Sequence, residues 1–432
     1  MIEEKTVRSE RLGDSYKVIK HDSGLTMLLA PMPGFSSAYA MFATAYGSID
    51  TRIRMTEGGE FEKLPEGIAH YLEHKLFESE DGDAFQRYAK TGASANAFTA
   101  FDRTSYLFSC TDRFEESLEI LLDFATHPYF TAETVAKEQG IIGQEIRMYD
   151  DSPDWRVLFN LLGAMYVNHP VKIDIAGTVE SIAQINAELL YRCYGTFYNL
   201  RNMVLVVAGN FDTDTVLRVA DRVLKKAPEL HLERAPVDEP DEVASEYTEQ
   251  KLPVSVPMFQ VGFKGRTGTE AENMRGSVLD EIFLEALCGE ASELYRRLYD
   301  DGVINSTFGT EVFSGRDYIS MLVSGESRDP RAVFSALKEG FASITENGIA
   351  ASDFEEAQKT VYGHYVRMGE RVEGVASALM NCYFPGVDPY ELCEIAAHAT
   401  AQDVVERAKT VYSEKHAALS VITPPEDKQS DD

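Results

Sequence analysis

The chain has little cysteine. There are five in 432 residues, an odd number: Cys110, Cys193, Cys288, Cys382 and Cys393. None forms a CxxC pair, which argues against a disulfide framework and leaves thiols that read as reduced, buried small hydrophobes. Basic residues are also few, 41 against 71 acidic ones, for a formal charge of -30. Such a field repels phosphate backbones and anionic lipid, so neither nucleic acid nor a membrane is expected as a partner. No apolar run reaches the length of a membrane span. The opening segment MIEEKTVRSERLGDSYKVIKHDSG lacks the apolar core of a secretory signal, and the expected location is the cytoplasm. There is no GxGxxG or GxxxxGK, so phosphate-cradling loops are missing too.

What is present is an ordinary soluble composition, 44% hydrophobic and 26% charged, over a length that calls for more than one core. Residues 232–250, LERAPVDEPDEVASEYTEQ, are polar and acidic and read as a linker between domains at 1–231 and 251–422. The tail 423–432 is expected to be disordered. The two halves end alike. INAELLYRCYGTFYNLRNMVLVVAGNFD closes the first, and ATAQDVVERAKTVYSEKHAALSVITPP closes the second. At a constant shift Ala187 meets Ala401, Thr196 meets Thr410, Tyr198 meets Tyr412, Leu205 meets Leu419 and Val207 meets Val421. An internal duplication is the better reading of such a shift. Strand-like segments (26–31, 38–46, within 95–109, 258–264, 306–312, 317–324) mix with helical ones (66–79, 81–90, 114–126, 131–149, 276–301, 330–346, 351–374). The order predicts an α+β fold, with mainly antiparallel sheets and helices packed against them.

The segment GIAHYLEHKLFE carries His70, Glu73 and His74. Positions i, i+3 and i+4 of a helix share one face, so two imidazoles one turn apart can grip a single ion, with Glu73 beside them to hold water rather than metal. This is the inverted form of HExxH. With nine histidines in the chain, chance would produce such a pattern in on the order of 2% of similar chains. Zinc catalysis needs a third protein ligand and an open position. The helix AETVAKEQGIIGQEIRMYDD offers Glu138 and Glu145, two turns apart on one face. Glu145 lies among Ile141, Ile142, Ile146 and Met148, an apolar setting for an acid. On residue types alone the choice between the two glutamates stays open.

HYLEH followed by EQGIIGQEIRMYDD resembles the pitrilysin/insulinase family of inverted-motif zinc peptidases. The resemblance runs over essentially the whole chain, with NAFTAFDRTSY and GTVESI in support, and is strongest to the zinc-bearing member of short bacterial processing-protease pairs. It implies two homologous domains enclosing a chamber, one Zn2+ per chain held by His70, His74 and Glu145, and Glu73 as general base. Glu138 would orient a histidine. Asn96 would lie at the scissile peptide, as substrate contact or oxyanion donor, and Ala97, Phe98 and Thr99 would form an edge strand to which substrate adds as a further strand. The implied activity is endopeptidase cleavage of short or unfolded peptides. The alternative is a non-catalytic assembly subunit of the same fold.

The second half departs from the family pattern. Where relatives acting alone place an arginine and a tyrosine that contact substrate, SELYRRLYDDGVINSTFG puts Tyr299 and Asn305. Tyr295 and Arg297 remain as substrate-contact candidates. The missing pair implies a partner, either a homologous zinc-free subunit or a second copy of the chain.

Overall fold

The computed structural model describes residues 3–80 and 82–425. They form two compact units, each built on its own sheet.

The first unit contains strands Glu3–Arg8 (β1), Ser15–Lys20 (β2), Thr26–Pro31 (β3), Ala38–Thr44 (β4), Ser94–Thr99 (β5), Thr104–Cys110 (β6) and Met203–Gly209 (β7). Their spatial order is β1-β2-β3-β7-β4-β6-β5. The central strand β7, MVLVVAG, is apolar and buried throughout, the pattern expected when both faces of a strand are covered. It runs parallel to β3 and antiparallel to β4. The edge strand β5 alternates between exposed and half-buried residues. The expected strand within 95–109 is thus a hairpin, turning at Ala100–Arg103, where the Ala100 N–H donates to the Arg103 carbonyl at 2.8 Å.

The second unit contains Tyr247–Lys251 (β8), Met258–Gly265 (β9), Gly309–Gly315 (β10), Tyr318–Glu326 (β11) and Tyr412–Thr423 (β12), in the order β8-β12-β9-β11-β10. Here β12 is parallel to β8 and antiparallel to β9. Strand for strand this repeats β3-β7-β4-β6-β5, directions included. The duplicated termini fall at matching places, helix Ala187–Phe197 leading into β7 and helix Ala401–Val411 into β12. The α+β class holds.

The units are not continuous in sequence. The first takes in residues 366–390 and the second takes in 147–173, where expected boundaries near 231 and 251 would have divided the chain once. Helix Val372–Tyr383 places Val372, Ala376, Leu379 and Met380 against Leu28, Met41, Val204 and Val206 of the first sheet. Helix Pro153–Met165 lies on the second sheet, where a Cβ on Gly262 would stand 2.2 Å from the Met165 sulfur. The segment expected as a linker is engaged along its length. Arg234 Nε reaches the Asp50 carboxylate at 2.6 Å. Glu239 accepts backbone N–H groups from Val167, Asn168 and His169 at 2.8, 2.7 and 2.6 Å, and the Lys264 ammonium at 2.6 Å. The stretch expected as one helix over 276–301 is two, Glu270–Cys288 and Glu293–Asp300, with Ser292 capping the second. The expected helix over 351–374 ends at Arg367. Thr423 of the expected disordered tail pairs with Lys251, and residues 426–432 lie outside the described part. Among the described residues no helix is long and apolar enough to cross a membrane.

Candidate metal centre

HYLEH lies in helix Ile68–Leu76 (α1), which buries Ile68, Tyr71, Leu72 and Leu76. Its N-cap, Gly67, takes φ 84°, in the left-handed region that favours glycine. The imidazoles of His70 and His74 meet edge to face, with ring centroids 4.6 Å apart. Helix Ala132–Asp150 (α2) buries Val135, Ile142 and Ile146 and carries Glu138 and Glu145.

These two helices bring His70, His74 and Glu145 together, with one ligand atom from each lying within 4.8 Å of the others. The carboxylate oxygens of Glu145 stand 3.7 Å from His70 Nε2 and 3.4 Å from His74 Nε2. A direct hydrogen bond would be nearer 2.9 Å. A tetrahedral zinc with bonds of about 2.0–2.2 Å places neighbouring ligand atoms about 3.3–3.6 Å apart. The spacing therefore suits an ion shared by the three side chains. Glu138 is placed differently. Its Oε1 lies 2.9 Å from His74 Nδ1, the ring nitrogen turned away from Glu145. Geometry thus separates two glutamates that the residue pattern left equivalent.

The electrostatics agree. Burial and the neighbouring His74 push the His70 pKa down to about 4, so its imidazole is neutral and can offer a lone pair. Burial alone would lower His74 as well, but hydrogen bonds to Glu138 and Glu145, with the charges of Glu145 and Glu73, raise it to about 10. The carboxylates favour a positive charge at this point. A proton on His74 is one source, and a divalent cation on the same Nε2 is another. Burial would raise Glu138, yet the hydrogen bond and charge of His74 outweigh it and hold the carboxylate below its usual range. Nδ1 of His70 is buried without a hydrogen-bond partner.

Glu73 does not join the ligand group. Its Oε2 accepts the Thr99 hydroxyl at 2.6 Å. Burial raises its pKa, against the hydrogen bonds from Thr99. Thr99, expected to meet substrate as part of the edge strand, thus connects β5 to the carboxylate on α1. Asn96 turns its Oδ1 back onto the Ala97 N–H at 2.9 Å, while Phe98 is 36% exposed. Three residues to which the sequence pattern gave no role make contacts between these segments: Tyr71 on α1, Gln139 on α2 and Ser181 beyond them.

Tyr295 and Arg297 belong to the second unit. Tyr295 stacks on Tyr299 at 5.7 Å and meets Phe308 edge-on at 5.5 Å, and Arg297 is exposed. Asn305 is committed locally, donating to Glu326 at 2.7 Å and accepting from the Thr307 N–H at 2.9 Å.

Residues 58–179, which include every residue of the ligand group, match the description "Insulinase (Peptidase family M16)", and residues 184–361 match "Peptidase M16 inactive domain". A Bacillus subtilis (strain 168) protein named as an uncharacterized zinc protease, YmfH, is 38% identical over 408 residues, covering 93% of this chain and 94% of its own. The chain belongs to the M16, or insulinase, peptidase family. A crystal structure described as an M16-like peptidase from Alicyclobacillus acidocaldarius superposes on this M16 chain with a TM-score of 0.89 at 34% identity, covering 98% and 99% of the two chains. A Helicobacter pylori protease shares the fold at a TM-score of 0.80 and 17% identity, covering 95% of this chain and all of its own (100%).

Proposed function

We propose that this M16 chain is a zinc-dependent endopeptidase, with His70, His74 and Glu145 as the ligands of one ion. The convergence of three donors, with Glu145 oxygens 3.4 and 3.7 Å from the two imidazole nitrogens and a further carboxylate outside the set, supports this most directly. Two neutral imidazoles and one carboxylate are a donor set typical of catalytic zinc. When bound, zinc supplies Lewis acidity, polarising a peptide carbonyl and acidifying water. Glu73 accepts the proton of the attacking water at its carboxylate and returns it to the leaving amine. Burial raises its pKa above the ordinary carboxylate value, which makes it a better proton acceptor than an exposed glutamate. Thr99 holds that carboxylate in place through Oε2. The edge strand β5 offers its backbone to an extended peptide, with Asn96 and Phe98 on its exposed face.

The non-catalytic reading has one support, the match of residues 184–361 to an inactive domain. That segment starts beyond Glu145 and leaves the ligand group untouched. The absent arginine–tyrosine pair supports a homologous zinc-free partner that completes substrate binding.

The test is metal content beside turnover. Glu73→Gln is expected to keep one zinc per chain and lose nearly all peptide cleavage, while His74→Ala loses the zinc. Equal zinc in wild type and His74→Ala would overturn the ligand assignment. Normal single-turnover cleavage by Glu73→Gln would overturn the role of the base. Full cleavage by the purified chain alone, with no gain from a homologous zinc-free subunit, would remove the partner.

A further inference from the structure

The GTVESI segment lies outside the metal-ligand set, yet it touches both helices that carry it. Gly177 takes φ 73°. A Cβ there would stand 2.6 Å from the Glu66 carbonyl oxygen, and a Cβ on Gly67 would stand 2.3 Å from the Ala176 carbonyl oxygen. Two backbones therefore pass in contact at the N-terminus of α1, one turn before His70. The contact is hydrogen-bonded as well as close. Ser181 Oγ donates to the Glu66 carbonyl at 2.9 Å. Ser181 is held for this by a capping box, in which Thr178 Oγ1 accepts the Ser181 N–H and Ser181 Oγ accepts the Thr178 N–H. One residue further on, the Ile182 carbonyl accepts the Gln139 Nε2–H at 2.9 Å. Gln139 is the neighbour of Glu138 on α2. The helices also meet directly, where the buried Tyr71 hydroxyl donates to the Val135 carbonyl.

We propose that residues 176–182 form a clasp that sets the spacing of the two ligand helices, with Ser181, Gln139 and Tyr71 as positioning residues for the metal. The inference rests on the ligand assignment made above. A tetrahedral site tolerates only small errors in donor separation. His70 and His74 come from one helix and Glu145 from another, so their separation is a property of the helix pair. The clasp fastens α1 through Glu66 and α2 through Gln139, and Tyr71 fastens both a turn away. This gives a physical reason for a glycine followed by a capping-box threonine and serine at this point in the chain.

The test uses the full chain and compares zinc affinity with metal-free stability. Gln139→Met removes one hydrogen bond from the clasp, Ser181→Ala removes both the bond to Glu66 and the one its Oγ accepts from the Thr178 N–H, and Tyr71→Phe removes the direct one. Zinc affinity, measured by chelator competition, is expected to fall about tenfold in each, the low end of the range for groups that support a ligand. The visible spectrum of the cobalt-substituted protein should shift, since it reports the ligand geometry. Thermal unfolding of the metal-free protein should change little for Gln139→Met, whose side chain is only half-buried. Gly177→Ala is the severe variant and is informative only if it folds, so the three milder variants decide the matter. Zinc affinity within twofold of wild type in all three, with an unchanged cobalt spectrum, would overturn the clasp. That result differs from failure of the ligand assignment, in which His74→Ala would bind zinc as wild type does.

Discussion

On the proposed ligand assignment, Glu138 acts through His74. Its carboxylate accepts from Nδ1 at 2.9 Å, which fixes the ring and leaves Nε2 facing Glu145. A histidine ligand whose second nitrogen meets a carboxylate is better oriented and more basic than one facing water. Glu138→Gln keeps the shape but removes the charge. Zinc affinity is expected to fall about 10–100-fold with the fold intact, as read by chelator competition. Unchanged affinity would leave Glu138 without this role. At this scale the sequence was unusually legible, because the helical repeat alone places His70, Glu73 and His74 on one face. The choice between Glu138 and Glu145 was not legible from residue types, since both occupy the same helical stripe. It depends on which of them faces Nε2, a matter of helix packing. The contact between the Thr99 hydroxyl and Glu73 was hidden for a similar reason. It depends on the register of a hairpin against a helix, and neither leaves a periodic trace.

Helix α2 carries the proposed metal-ligand carboxylate, yet it contains Gly140 and Gly143 between Glu138 and Glu145. An added Cβ at either position would meet nothing within 4 Å. Neither glycine is needed for close packing, so each costs the helix roughly 0.5–1 kcal/mol relative to alanine. Gly67 is the opposite case, with φ 84° and a carbonyl oxygen 2.3 Å from where a Cβ would be. Gly140→Ala is expected to raise the urea midpoint of the metal-free protein, by about 0.5–1 kcal/mol of stability, and Gly67→Ala to lower it by more. A destabilised Gly140→Ala would show that α2 is not a plain helix there. Most of the elements read from the pattern are of the right type, but strands β1 and β2 and helix Pro153–Met165 are missing from that reading, and β8 begins inside the expected linker; other failures fall at breaks. Gly289 and the Ser292 cap divide what reads as one helix over 276–301. Apolar periodicity continues across such breaks, so a pattern of side chains cannot locate them.

The duplication was legible in the whole chain because both repeats keep a helix-then-strand ending at a constant shift. The exchange of segments was not. Helices Pro153–Met165 and Val372–Tyr383 show the same amphipathic pattern whichever sheet they cover, and hydrophobic residues do not specify a partner surface. The consequence is testable by dividing the chain where the sequence suggests. Residues 1–236 would carry most of the first unit and the complete ligand group but lack 366–390. Val372, Leu379 and Met380 would then be missing from the cluster with Tyr16, Leu28, Met41, Val204 and Val206. Burying an aliphatic side chain of this size contributes about 1.5–3 kcal/mol. Three of them amount to about 5–9 kcal/mol, comparable with the whole stability of many domains, about 5–15 kcal/mol. The truncated chain should therefore aggregate or bind the dye ANS through its uncovered sheet face, and bind zinc poorly despite having every ligand. Fusing residues 366–390 back through a flexible linker should recover solubility. A fragment 1–236 that is monomeric, free of ANS binding and cooperative in unfolding would show that the exchanged helix is not needed for the first unit's core.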